Sequence, residues 1–217
     1  MIGDLSLRYV LSAPSGASED AEVPLVVCMH GRGADARDLA DLAPAIDDGY
    51  RWVFPNAPRP FEMYPGMTYG WTWFDGLPPT PESVEASRRL LLQFLSEILE
   101  RYPTPDRKVI LAGFSQGGVM SLDAGFRTAA SLAGIVVMSG ALFEQGMPSS
   151  DELADVPPIL ILHGLHDEMI PVTAARRARQ VLEGRNLEVE YHEFAMGHHV
   201  IPESLAVVGG FLRRRLQ

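Results

Sequence analysis

Continuous apolar runs constrain this chain most: Leu25–Met29, Val109–Phe114 and residues 159–162. A short run without polar alternation suits a strand buried on both faces, as in a parallel sheet. A fourth run, 135–138, follows Gly134 and ends at Ser139-Gly140, and residues 53–54 before Pro55 make a shorter candidate. Residues 187–194 alternate apolar and polar side chains, which predicts a strand near the sheet edge. Helical patterns lie between these runs. The clearest begins with Thr80 as N-cap, Pro81 at the first helical position and Glu82 in the first turn. Its apolar stripe is Leu91, Leu95, Ile98 and Tyr102. Further helices are predicted over 115–128, Val172–Glu183 and 204–215. Strand and helix thus alternate from residue 25 onward, predicting an α/β fold: a mostly parallel sheet with helices on both faces.

The length, 217 residues, favours one domain spanning 1–217, and a chain of this mass buries roughly 70% of its surface on folding. No disulfide scaffold is needed, and the single cysteine, Cys28, cannot form an internal one. The formal net charge is −10, which repels phosphate backbones and excludes nucleic acid as the expected partner. No apolar run approaches the ~18 residues of a membrane span, and the first residues lack the pattern of a signal peptide. The expectation is a cytoplasmic protein with no integral membrane segment.

Sites in such sheets form at the carboxyl ends of the strands, so the residues following each run carry the functional reading. After 109–112 comes Gly113-Phe114-Ser115-Gln116-Gly117, the G-x-S-x-G pattern at a strand-to-helix junction. A serine on that tight turn keeps its hydroxyl exposed, and small residues on either side let strand and helix approach. After 159–162, Asp167 sits five residues on with Pro171 bounding the loop; a carboxylate there can orient an imidazole. Glu168 is a minor alternative, and Asp155 is too early to reach. After 187–194, Gly197-His198-His199 offers two histidines, and His198, directly behind the glycine, is the preferred general base. The order Ser115, Asp167, His198, with separations of 52 and 31 residues, is that of α/β-hydrolases. Oxyanion donors are expected from the backbone N–H of Gln116, and from Arg32 in His30-Gly31-Arg32-Gly33 after the first run. That loop lacks the spacing and lysine of a nucleotide-binding loop. His163, His166, His198 and His199 do not match a zinc ligand set, so no metal site is expected.

Together, His30-Gly31-Arg32-Gly33, Pro55-Asn56-Ala57-Pro58 with Trp73-Phe74-Asp75, Gly113 to Gly118, His163-Gly164 with Asp167 and Pro171, and Met196-Gly197-His198 resemble the phospholipase/carboxylesterase family of α/β-hydrolases. The likeness spans residues 30 to 198. It implies a hydrolase fold with no separate cap domain, acting without a cofactor on small-molecule acyl esters or thioesters, lysophospholipids among the candidates. Family members are often dimers, which leaves a homodimer open. Arg32 stands where the thioesterase branch usually has leucine, which looks like the bacterial carboxylesterase branch. A peptidase or acyltransferase using the same residues, or a non-catalytic binding protein on the scaffold, remains the alternative.

Six of the chain's 18 aromatics fall within residues 61–74, a stretch rich in Pro and Gly without clear helix or strand period. Such a loop suits the wall of an acyl pocket. Trp71, Trp73 and Phe74 are the candidates there, with Met169 and Met196 beside the acid and the base as adaptable lining.

Overall fold

In a computed structural model, which describes residues 2–46, 49–76, 79–128 and 131–217, the apolar runs become the inner strands of one sheet. The strands are β1 (Ile2–Asp4), β2 (Arg8–Ser12), β3 (Leu25–Met29), β4 (Arg51–Pro55), β5 (Arg59–Tyr64), β6 (Met67–Thr72), β7 (Val109–Phe114), β8 (Leu132–Met138), β9 (Ile159–Gly164) and β10 (Val189–Phe194). Eight of them form a sheet in the order β1-β2-β4-β3-β7-β8-β9-β10. The pairings from β4 through β10 are parallel, and β1 and β2 add an antiparallel margin. β3 and β4 are buried along their whole length, whereas β10, at the edge, is only half-buried throughout. Its alternating sequence reflects that exposure.

The helices are α1 (Leu42–Ile46), α2 (Pro81–Arg101), α3 (Gln116–Gly125), α4 (Val172–Glu183) and α5 (Pro202–Leu216). Alternate side chains of the inner strands point to opposite faces, so each face builds its own core. Val27, Leu111, Val137 and Ile161 pack with Leu91, Phe94 and Ile98 of α2, Leu122 of α3 and Leu182 of α4. Val26, Ile110, Val136 and Leu160 pack with Ala43 of α1 and with Val208, Phe211 and Leu212 of α5. Cys28 belongs to this second core, where burial pushes its thiol up to about 12 and leaves it inert. The predicted stripe on α2 is wholly inward: Leu91, Leu95, Ile98 and Tyr102 are all buried. Phe94 is fully buried between them and Tyr9, whose ring it meets edge-on at 5.5 Å. Phe94→Ala should therefore destabilise the protein by about 3–5 kcal/mol, read as a lower urea midpoint at unchanged slope.

α2 starts at Pro81 with Thr80 at its N-cap, as expected, but the Thr80 side chain makes no capping bond. Its hydroxyl donates instead to Ser83 Oγ, which in turn donates to Thr80 O. Residues 59–72, which show no strand period in sequence, form an antiparallel hairpin of β5 and β6 separate from the main sheet. Register shifts at Phe61/Glu62 and Glu62/Tyr64 break the pairing, and Met63, Tyr64, Met67 and Tyr69 near its tip are exposed. With no buried face along most of its length, the hairpin has nothing to impose alternation.

Candidate active site

The elbow at Ser115 begins with geometry that the glycines permit. Ser115 connects β7 to α3 with φ 55° and ψ −118°, a left-handed backbone that costs a non-glycine residue about 1–3 kcal/mol. A Cβ on Gly117 would run into Met29 O and His30 O, and one on Gly113 into the backbone of Gly117. Strand β3, strand β7 and the first turn of α3 therefore meet closer than any side chain would allow. Ser115 N–H donates to Met138 O at 2.9 Å, anchoring the turn to β8.

Two loops then bring an imidazole and a carboxylate to this serine. His198, after β10, has Nε2 at 3.0 Å from Ser115 Oγ. Its Nδ1 lies 2.7 Å from Asp167 Oδ2, contributed by the loop after β9. An ionised carboxylate only accepts, so Nδ1 carries the proton and the Nε2 lone pair faces the hydroxyl. Phe114 holds the ring from the side at a centroid distance of 4.9 Å. Asp167 Oδ1 accepts from the N–H groups of Met169 (2.9 Å) and Ile170 (2.8 Å). Burial works to raise the Asp167 carboxyl, but the bonds from His198, Ile170 and Met169 outweigh it and hold it below the ordinary carboxylate range. Asp167 thus stays ionised wherever an imidazole titrates. Glu168 and His199, the alternatives in sequence, are exposed and make none of these bonds, and Asp155 lies exposed elsewhere.

The backbone N–H of Gln116 is the first of α3, and that of Arg32 lies in the loop after β3. Neither has a hydrogen-bond partner among the described residues, and both residues line the cleft at Ser115. The Gln116 side chain does work that its sequence position does not announce. Its Oε1 accepts from Thr72 Oγ1 and from Trp73 N–H, both at 3.0 Å, while its Nε2 donates to Phe74 O at 2.9 Å. Trp73 Nε1–H donates to His30 O at 2.9 Å. His30 Nε2 accepts from Ala57 N–H at 3.0 Å, which leaves Nδ1 to donate to Gly31 O at 2.6 Å. Burial lowers the His30 pKa, in keeping with this neutral tautomer. Elbow, hairpin and the Arg32 loop are thereby tied into one polar network, each member within reach of the next.

His163, part of the His163-Gly164 motif, has a structural role here. It is wholly buried on β9, with Nε2 at 2.8 Å from Ile170 O and 3.4 Å from Asp167 Oδ2. It braces the acid loop from beneath. A histidine at the end of a buried strand, four residues before the acid, was the available signal.

The cleft above Ser115 has a volume of about 460 Å³, within the range of small-molecule sites. Phe74, Val119, Leu142, Phe143, Met169 and Ile170 supply apolar wall. Of the five side chains expected to line it, Phe74 and Met169 do so. Trp71, Trp73 and Met196 do not, which corrects the sequence reading. Trp73 is turned inward as the strut described above, and Trp71 packs partly buried on the core while its backbone pairs with Gly33 and Ala34. Met196 is buried, with its carbonyl accepting from His166 N–H at 3.0 Å. Leu142 and Phe143, from the segment after β8, were missed because an apolar residue in a loop gives no directional signal in sequence. Among the described residues no group of three or more His, Cys, Asp or Glu could hold a metal ion. No helix among them is long and apolar enough to cross a membrane.

Known proteins are similar to this chain in sequence and fold. The family described as phospholipase/carboxylesterase matches residues 16–216. Acyl-protein thioesterase 1 of Gibberella zeae is 28% identical over 186 residues, which cover 78% of this chain and 78% of that protein. The crystal structure of esterase PE8 is 29% identical, covers 99% of this chain and 100% of its own, and superposes with a TM-score of 0.79. The carboxylesterase from Mesorhizobium loti reaches a TM-score of 0.81 at 20% identity, with 97% and 96% coverage, a likeness of fold. The strand order, the elbow and a match over nearly the whole length make this chain a hydrolase of the α/β-hydrolase fold that belongs to the phospholipase/carboxylesterase family.

Proposed function

We propose that the protein hydrolyses carboxylic esters of small acyl groups through an acyl-enzyme on Ser115, the whole chain working as one domain. The observation that carries this reading is the unbroken chain of hydrogen bonds from Ser115 Oγ through His198 to Asp167, opening on an apolar cleft. Ser115 Oγ attacks the carbonyl carbon while its proton passes to His198 Nε2. Asp167 holds the ring and balances the imidazolium charge. The N–H groups of Gln116 and Arg32 hydrogen-bond the oxygen as it becomes negative, stabilising the tetrahedral intermediate more than the ground state. The bond from carbon to the leaving oxygen breaks, and His198 returns the proton to that oxygen. Water then attacks the ester on Ser115, again losing its proton to His198, and the carboxylic acid leaves with Ser115 restored.

Thioesters enter as a second substrate class because one relative is named an acyl-protein thioesterase, and sulfur leaves by the same steps. A fluorophosphonate probe should label Ser115 stoichiometrically, with p-nitrophenyl esters hydrolysed fastest at an acyl length that the cleft can hold. Failure of both labelling and hydrolysis would favour a binding role on the same scaffold.

A further inference from the structure

Arg32 has a side chain as well as an amide, and that side chain is not accounted for by the steps above. It is exposed, it lines the cleft that contains Ser115, and its guanidinium lies over the Phe61 ring at 4.7 Å from the centroid. Among the described residues it has no carboxylate within ion-pair distance and no hydrogen-bond acceptor. The carboxylate among the described residues of the wall, Glu144, is neutralised: Arg177 grips its two oxygens at 2.9 and 2.8 Å. In a chain of net charge −10, the cleft therefore presents an uncompensated cation.

The cation is also held in place. Phe61 lies on β5, and β6 is fastened to the Arg32 loop by Gly33 N–H to Trp71 O and Trp71 N–H to Ala34 O, both 2.8 Å. Gly33, at φ 79°, lets that ring come close: a Cβ there would stand 3.2 Å from Phe61 Cδ1. Stacking covers a face of the guanidinium and leaves its N–H groups, which lie in its plane, free to donate. A planar fork with five donors suits a carboxylate or phosphate, each able to accept two of them.

We infer that Arg32 is a specificity-determining residue that selects esters carrying an anionic group, carboxylate or phosphate, beside the scissile carbonyl. The inference rests on the esterase reading of the cleft. Because the same residue offers its amide to the oxyanion, a bound anion would lie one arginine side chain away from the reacting carbon.

The test compares matched neutral and anionic esters in two arms. One arm pairs p-nitrophenyl pentanoate with the p-nitrophenyl monoester of glutaric acid, placing a carboxylate on the acyl side. The other pairs 1-butanoylglycerol with 1-butanoylglycerol 3-phosphate, placing the anion on the alcohol side. In at least one arm, Arg32→Met should lower the ratio of kcat/KM for the anionic over the neutral ester by roughly ten- to a hundredfold. Arg32→Lys should restore part of the ratio, and added salt should erode it. The responding arm identifies the source of the charge. If Arg32→Met lowers both members of each pair by one common factor, or leaves both ratios untouched, the anion role is refuted while the esterase reading stands. If the wild-type protein hydrolyses neither neutral ester and Ser115 resists the fluorophosphonate, the esterase reading itself fails and takes this one with it.

Discussion

Ser115→Ala will lower kcat by about 10⁴- to 10⁶-fold, the loss seen when a serine nucleophile that works as a unit with its base is removed. The reason is geometric. Among the described residues no other hydroxyl stands against His198 Nε2, and alanine keeps the φ of 55° that shapes the elbow while deleting only the oxygen. The protein should remain folded, with its thermal midpoint unchanged or slightly raised. Stopped assays with a p-nitrophenyl ester would measure the rate, and a fluorophosphonate would check that labelling disappears with it. A variant turning over within tenfold of wild type would place the nucleophile elsewhere.

Asp167→Asn will cost about 10⁴-fold in kcat, although the side chain is nearly the same size. An amide can present an N–H to His198 Nδ1, which flips the ring to the tautomer with its proton on Nε2 and removes the base from Ser115. The carboxylate also bears on stability, and the sign is set by its pKa. Asp167 is held below the ordinary carboxylate range, so its bonds contribute fully above a pH of about 3.9. The contribution is lost as pH falls through the lower folded-state value. The stability advantage of wild type over Asp167→Asn, measured as urea midpoints, should be full at neutral pH and narrow on acidification below about pH 4. An advantage that grows in acid would contradict the assigned protonation state.

How much of this was legible along the chain differs from element to element. The inner strands declared themselves because β3, β4, β7, β8 and β9 are buried almost throughout, and a polar side chain in such a strand is costly unless it is hydrogen-bonded, as Arg51 and His163 are. The elbow was equally local, since the approach of Gly113 to Gly117 excludes other side chains at both places. The β5–β6 hairpin was hidden because its exposed tip leaves neither a periodic apolar face nor a regular register. Its aromatics misled for the same reason: composition can mark a cluster of rings, but it cannot say which way each ring faces.

The sequence by itself determined the alternation of buried strand and helix, the two-faced core, and the order in which Ser115, Asp167 and His198 follow their strands. These depend on periodicity and on contacts within a few residues, which are written locally. Only the tertiary structure decided that Trp73 turns inward to His30 while Phe74 faces the cleft, that the Gln116 side chain joins hairpin to elbow, and that His163 braces the acid loop. Each of these depends on the direction of a side chain toward an element distant in the chain, and that direction is set when the layers pack rather than by the neighbours in sequence.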